Sequence, residues 1–283
     1  MSKTATTWQL MKASWHVLMQ DKALLVFPVV SGIACFLVLL TFIVPALGLG
    51  AAGQGNLFRG QGEVLGWVLL FCYYLCNFFV VFFFNAALVD FVVTRMRGGE
   101  PTIGNSLRAA AACMPQIAAW AVLSATVGVV LKVLEGRAGF LGRIAVSLLG
   151  FAWALVTYFV VPIIVIERKG ALASVESSKN LLAKTWGKQI VSGLGYGLIG
   201  FLLTIPAIAV LIAAFVGVLA SQGSHAGGWG TLAVAAILYL VGLVIVMSAL
   251  RAIFGVVLYL FAKTGTAPDG FDAADLRGAI QPA

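Results

Sequence analysis

Six apolar runs divide the chain, at approximately 24–48, 65–94, 116–134, 140–166, 189–220 and 230–262. Each can cross a hydrocarbon core about 30 Å thick, which takes roughly 20 helical residues. Glycines, prolines and small polar residues punctuate all six, as membrane helices tolerate. The second, fifth and sixth runs exceed the minimum and are expected to tilt or to extend past the bilayer. Ahead of each odd-numbered run the pattern changes to apolar residues at helical spacing. Trp8, Met11, Trp15 and Leu18 form one stripe, Ile103, Leu107, Ala111 and Met114 a second, and Leu172, Val175, Leu182 and Trp186 a third. Lys, Arg, Ser, Asn or Gln occupy the other face of each, the pattern of a helix lying in the membrane interface. Tryptophan favours headgroup depth, so Trp8, Trp15 and Trp186 are the expected interfacial anchors.

The even-numbered runs end alike. NAALVD (85–90) aligns with PIIVIE (162–167) at an offset of 77, and GVVLYL (255–260) supplies a third copy without the acid. Basic residues follow each, and Gly265-Thr-Ala-Pro268 echoes Gly98-Gly-Glu-Pro101. The expected fold is therefore an all-α membrane protein with six transmembrane helices, built as three repeats of an interfacial amphipathic helix plus a transmembrane hairpin. The repeats run about 5–95, 96–168 and 169–265, followed by a short tail at 266–283, within one polytopic domain.

Composition supports the bilayer as solvent. The chain is 61% hydrophobic and 10% charged, with mean hydropathy +1.05, against about 25% charged in a soluble domain. A net charge of +8 could suggest nucleic acid, but the basic residues are not gathered into an aromatic-interleaved patch. Their placement instead sets orientation: 13 of the 18 Lys and Arg fall on the side holding both termini and four on the other, with Arg251 inside the sixth run. The positive-inside rule then puts both termini in the cytoplasm. The first apolar run is too long for a cleavable signal, and Ala34-Cys35 lacks a cleavage context.

Chemistry is sparse. The four cysteines lack the paired spacing of a zinc site or disulfide framework; neither metal nor cofactor is expected. GLGYG (193–197) has no strand before it and lies in the fifth run, where Gly193 and Gly197 read as helix packing, as do Gly150 and Ala154 in the fourth. No hydrolase elbow, Walker loop or zinc-protease motif occurs, and neither His16 nor His225 has an acid nearby in sequence, so an enzyme is not expected. The candidate intramembrane polar site is Arg251 with Asp90, Glu167, Asn77 and Asn85. Asp90 and Glu167 read either as interfacial acids paired with a nearby Arg or Lys, or as intramembrane functional acids. Arg251 lies nine residues before Leu260, roughly 13 Å deeper at 1.5 Å per residue, so it is expected to face inward and find acceptors. Pro162 is expected to free the carbonyl of Tyr158, and Pro206 that of Leu202.

Several segments carry a resemblance. Ser14-Trp15, Asp21-Lys22 and Phe27-Pro28, then FFNAAL (83–88), WAVLSATVG (120–128), SLLGFAW (147–153), VVPIIVIE (160–167), SSKNLLAKTWG (177–187) and VLYLFAKTG (257–265) resemble a bacterial membrane-protein family of unknown function. Leu260-Phe261 departs from the more polar pair expected there. The resemblance implies a six-span protein of the bacterial inner membrane, with no activity or site to carry over. A fainter similarity, of hairpin and interfacial helix only, links the chain to membrane domains attached to glycerophosphodiester phosphodiesterases. The expected partners are membrane lipids or another membrane protein, and no nucleic acid. Two functions are consistent with this reading: a non-enzymatic protein that organises lipids or scaffolds a partner, and a small transporter or channel for a lipid or anionic solute using Arg251 with Asp90 and Glu167.

Overall fold

The computed structural model describes residues 3–51, 63–186, 191–220, 226–274 and 276. Among them all regular structure is helical: α1 (Lys3–Gln20), a 3-10 turn (Lys22–Leu25), α2 (Val26–Ala51), α3 (Glu63–Met96), α4 (Ile103–Ala112), α5 (Met114–Arg137), α6 (Phe140–Val156), α7 (Val160–Glu167), α8 (Ala171–Trp186), α9 (Val191–Ala220) and α10 (Ala226–Thr264). Six stretches of the described residues are long and apolar enough to cross a membrane: Lys22–Pro45, Val64–Met96, Met114–Arg137, Phe140–Glu167, Ile199–Ala220 and Gly227–Thr264. Over the described residues they agree with the six apolar runs to within a few residues. The short helices α1, α4 and α8 precede the first, third and fifth of them. Each even-numbered span is followed by backbone in the left-handed region, at Gly98 (φ 76°), Arg168 (φ 56°) and Gly265 (φ 72°). That conformation lets the chain turn sharply out of a helix while its last carbonyls stay bonded.

The chain divides into two compact units, one from Val26–Lys184 and the other from Met1–Leu25 with Thr185–Ala283. In the first, α3 is the central element and packs against α2, α4, α5 and α7. Its C-terminal half is covered on every side, so Ala86, Ala87, Leu88, Val89, Phe91, Val92 and Val93 are all buried. A helix end that is apolar all round needs this kind of enclosure. Val160–Val165 of α7 is buried throughout and completes that core. Across the middle of the unit the aromatic side chains form a continuous series. Tyr74, Phe78 and Phe82 of α3 succeed one another at 5.7–5.9 Å, Phe82 meets Trp120 of α5 at 5.6 Å, and Trp120 stacks on Trp153 of α6 at 5.9 Å.

In the second unit α9 and α10 form a hairpin, with α1 packed against both. Gly200, Ala207 and Ala214 recur every seven residues along α9 and, with Gly217, are its buried positions among those described. Small side chains at a heptad spacing let two helices approach closely in a medium where apolar burial gives little drive. Met247 covers Gly200 and the indole of Trp229 covers Gly217. The second half of α10, from Ala249 to Phe261, is the most continuously buried stretch of the unit, and Leu10, Val17, Leu18 and Leu24 pack in the same unit. Phe271 and Leu276 of the tail are buried as well.

Candidate functional site

The fourth span is not one helix. Pro162 has no N–H to give and its ring crowds the carbonyl four residues back, so the helical ladder cannot pass through it. α6 stops at Val156 and α7 starts at Val160. Between them the backbone makes tight turns, Tyr158 N–H to Leu155 at 3.1 Å and Val160 N–H to Thr157 at 3.1 Å. Here the Val156 C=O and the Phe159 N–H turn to a partner outside the helical ladder. Ser178 of α8 satisfies both. Its hydroxyl donates to Val156 O at 2.6 Å and accepts from Phe159 N at 3.2 Å. Ser178 and Phe159 are wholly buried, where two orphaned backbone groups would be costly.

Beside this break, α3, α5 and α6 enclose a cleft of about 350 Å³ lined by Phe78, Phe82, Asn85, Trp120, Ser124, Val127, Gly128, Leu131, Trp153, Ala154, Thr157, Tyr158 and Val161. No lining side chain carries a charge. Trp120 and Ser124 are only 3% and 6% exposed, yet the Trp120 Nε1 and Ser124 Oγ have no hydrogen-bond partner. The other hydroxyls nearby behave differently. Thr126 donates to Val122 O of its own helix at 2.8 Å, and Thr157 to Trp153 O at 2.7 Å.

A separate polar cluster gathers where α3, α4 and α7 end. Asp90 lies beside Ser106 of α4, with the Arg168 and Arg97 guanidinium groups close enough to act on its charge. Arg168, held in the left-handed region just after α7, has its backbone N–H on Ile164 O. Its Nη1 donates to Ala109 O at 3.3 Å and lies 2.7 Å from Cys113 Sγ. A cation there also meets the negative end of α4. Burial pushes the Cys113 thiol up, with the nearby Arg168 charge opposing it, so the thiol stays protonated and unreactive near neutral pH.

The other residues singled out from sequence are spread more widely. Glu167 pairs with Lys169 at 2.7 Å. The Asn77 amide donates back to Tyr73 O of its own helix at 3.4 Å, while Asn85 lines the cleft. Arg251 belongs to the other unit, where it is exposed and its guanidinium lies against Gly200. Gly200 leaves the space through which a long side chain can run outward. Trp8 and Trp15 are 50% and 44% exposed, and the side chain of Trp186 lies outside the described residues. Sequence reasoning did not reach Ser178, Trp120, Ser124 or Arg168 as site residues. Pro162 was the available signal for the break, but its partner lies on another helix. Among the described residues no three His, Cys, Asp or Glu side chains come together to hold a metal ion.

Residues 64–270 match the profile of a family described as a family of unknown function, DUF6159. No curated protein and no solved structure matches the chain.

Proposed function

The chain belongs to the DUF6159 family, and we propose that it is a non-enzymatic protein of the bacterial inner membrane whose interfacial helices hold lipid or seat a partner membrane protein at the cytoplasmic surface. Both termini are cytoplasmic in this reading, and the chain is three repeats of interfacial helix plus hairpin. The repeat is supported by the short helices before each odd-numbered span and the left-handed residue after each even-numbered one.

One observation carries the proposal. Each short helix leaves part of its bulky apolar surface out of its packing. On α1, Leu10, Ser14, Val17 and Leu18 are buried while Trp8, Trp15 and Met19 stay exposed. On α8, Ala171, Ser174 and Ser178 are buried while Leu172 is 74% exposed. At the end of α4, Ser106, Ala110 and Cys113 are buried and Met114 is 43% exposed. Small residues and serines seat α4 and α8, and leucines, a valine and a serine seat α1; large apolar groups are left beside Lys12 and Lys179 for the headgroup boundary. Asp90 and Glu167 have cations of their own in Arg168 and Lys169, which suits the paired-acid reading better than an ionic transport route through Arg251.

The test is tryptophan depth in bilayers. Variants keeping only Trp8 or only Trp15 are expected to be quenched most by lipids labelled near the headgroup. Equal or stronger quenching by labels near the chain ends would refute the interfacial placement.

A further inference from the structure

We propose that the aromatic cleft beside the broken fourth span is a binding site for a neutral, lipid-dissolved molecule carrying a carbonyl group. The inference is independent of the interfacial helices and rests on the α3–α5–α6 region alone.

Depth is the first argument. Ser124 lies ten residues into the span that starts at Met114, about 15 Å along a helix rising 1.5 Å per residue. That is the middle of a hydrocarbon core about 30 Å thick. No bulk water is available there, so an N–H or O–H must find its partner in protein or ligand. Trp120 and Ser124 are one helical turn apart on α5, both line the cleft, and their donors are buried and unpartnered. A serine in a membrane helix ordinarily donates to the carbonyl four residues back, as Thr126 does two residues further on, on a different face. Ser124 forgoes that bond. Two unpartnered donors on neighbouring turns of the lining, with Asn85 also lining the cleft, describe a site for an acceptor oxygen.

The walls decide the rest. Phe78, Phe82, Trp120 and Trp153 supply flat apolar surface, and with no cation or carboxylate in the lining a charged ligand would enter unpaired. The volume of about 350 Å³ is at the small end of ligand pockets and fits a ring or a short chain segment rather than a whole phospholipid. Exposed Ala154 stands at the rim, so a ligand can enter sideways from lipid. A carbonyl of this kind comes either on a ring, as in a quinone, or in a chain ester.

The test uses the full chain in nanodiscs of diether phospholipid, which contains no ester carbonyl. A short-chain benzoquinone, methyl decanoate and decane are titrated separately, reading saturable uptake and the shift in melting temperature. At least one carbonyl probe is expected to bind saturably while decane does not; which one binds identifies ring or ester. Ser124→Ala and Trp120→Phe are each expected to weaken that probe about five- to tenfold. Ala154→Leu, at an exposed position where folding tolerates bulk, is expected to abolish uptake by closing the mouth. The proposal is overturned if no carbonyl probe binds saturably, if decane binds as well, or if Ala154→Leu and Ser124→Ala bind like the parent chain.

Discussion

A single hydroxyl holds the fourth span together at its weakest point. Ser178 donates to one side of the break and accepts from the other, which an alanine cannot do. Ser178→Ala removes the hydroxyl from a buried N–H and a part-buried C=O, each lost bond costing about 1–3 kcal/mol. The expected loss is about 2–4 kcal/mol, read as a clear fall in melting temperature in detergent or nanodiscs. Ser178→Thr keeps the hydroxyl and should recover most of it. Ser174→Ala is the natural comparison, because that equally buried serine reaches only Lys169 O at 3.4 Å; a similar loss from both variants would show that packing, not the bridge, matters. The residue scale is also where sequence reading stopped short. Asp90 stands out as an acid at the end of an apolar run, but one of its cations is Arg168, which follows the acid that aligns with it rather than standing in its own loop. Spacing along one helix cannot reveal such a neighbour, because it arises only when α3, α4 and α7 pack together.

At the scale of elements, hydropathy located the membrane-crossing stretches well and helix packing poorly. A run of apolar residues is visible because lipid imposes the same demand along its whole length. The side a helix turns to its neighbour depends on small residues, which hydropathy barely registers. On α1 the apolar stripe read from sequence was Trp8, Met11, Trp15 and Leu18, whereas the packed face is Leu10, Ser14, Val17 and Leu18. On the fourth span, Pro162 signalled a disturbance, but the run through 140–166 read as one helix because both halves are equally apolar. The small-residue face of α9 leads to a prediction. A side chain at Gly217 would run into the Trp229 indole, whereas one at Gly242 of α10 meets open space. Gly217→Leu should therefore cost about 1–3 kcal/mol through overpacking, more than the gain of under about 1 kcal/mol in helix propensity. Gly242→Leu should be neutral or slightly stabilising. Thermal melts of both variants, and of Gly217→Leu combined with Trp229→Ala, check this: the double variant should regain stability, and a Gly217→Leu protein as stable as its parent would rule out close α9–α10 contact there.

For the whole molecule, the strongest handle is the distribution of charge between loops. Hydropathy and the structure both yield six candidate spans, and an even number puts the two termini on one side. Which side depends on the cations. The 13 Lys and Arg on the terminal side include Arg95, Arg97 and Arg108 in the second turn and Arg168, Lys169, Lys179, Lys184 and Lys188 in the fourth. The four opposite are Arg59, Lys132, Arg137 and Arg143, two of them on α5 near its end. Short loops are governed by this rule more strongly than long domains, and every connection here is short. Reporter fusions after residues 56, 138 and 225 are therefore expected to read outside, and a fusion at the C-terminus inside. Moving charge should test the cause: replacing Arg168, Lys169, Lys179, Lys184 and Lys188 by Gln removes five of the 13, which still leaves eight against four. The orientation should hold, with at most partial misinsertion of the hairpin that follows. Adding four lysines to the loop near Arg137 in that variant would balance the sides at eight each, and mixed reporter signals should appear. An outside C-terminus with the reporter after residue 56 still outside would refute the six-span arrangement. An outside C-terminus with the three loop reporters inside would instead invert it and move α1 and α8 to the outer surface, away from the cytoplasmic face where the proposed lipid or partner contact needs them.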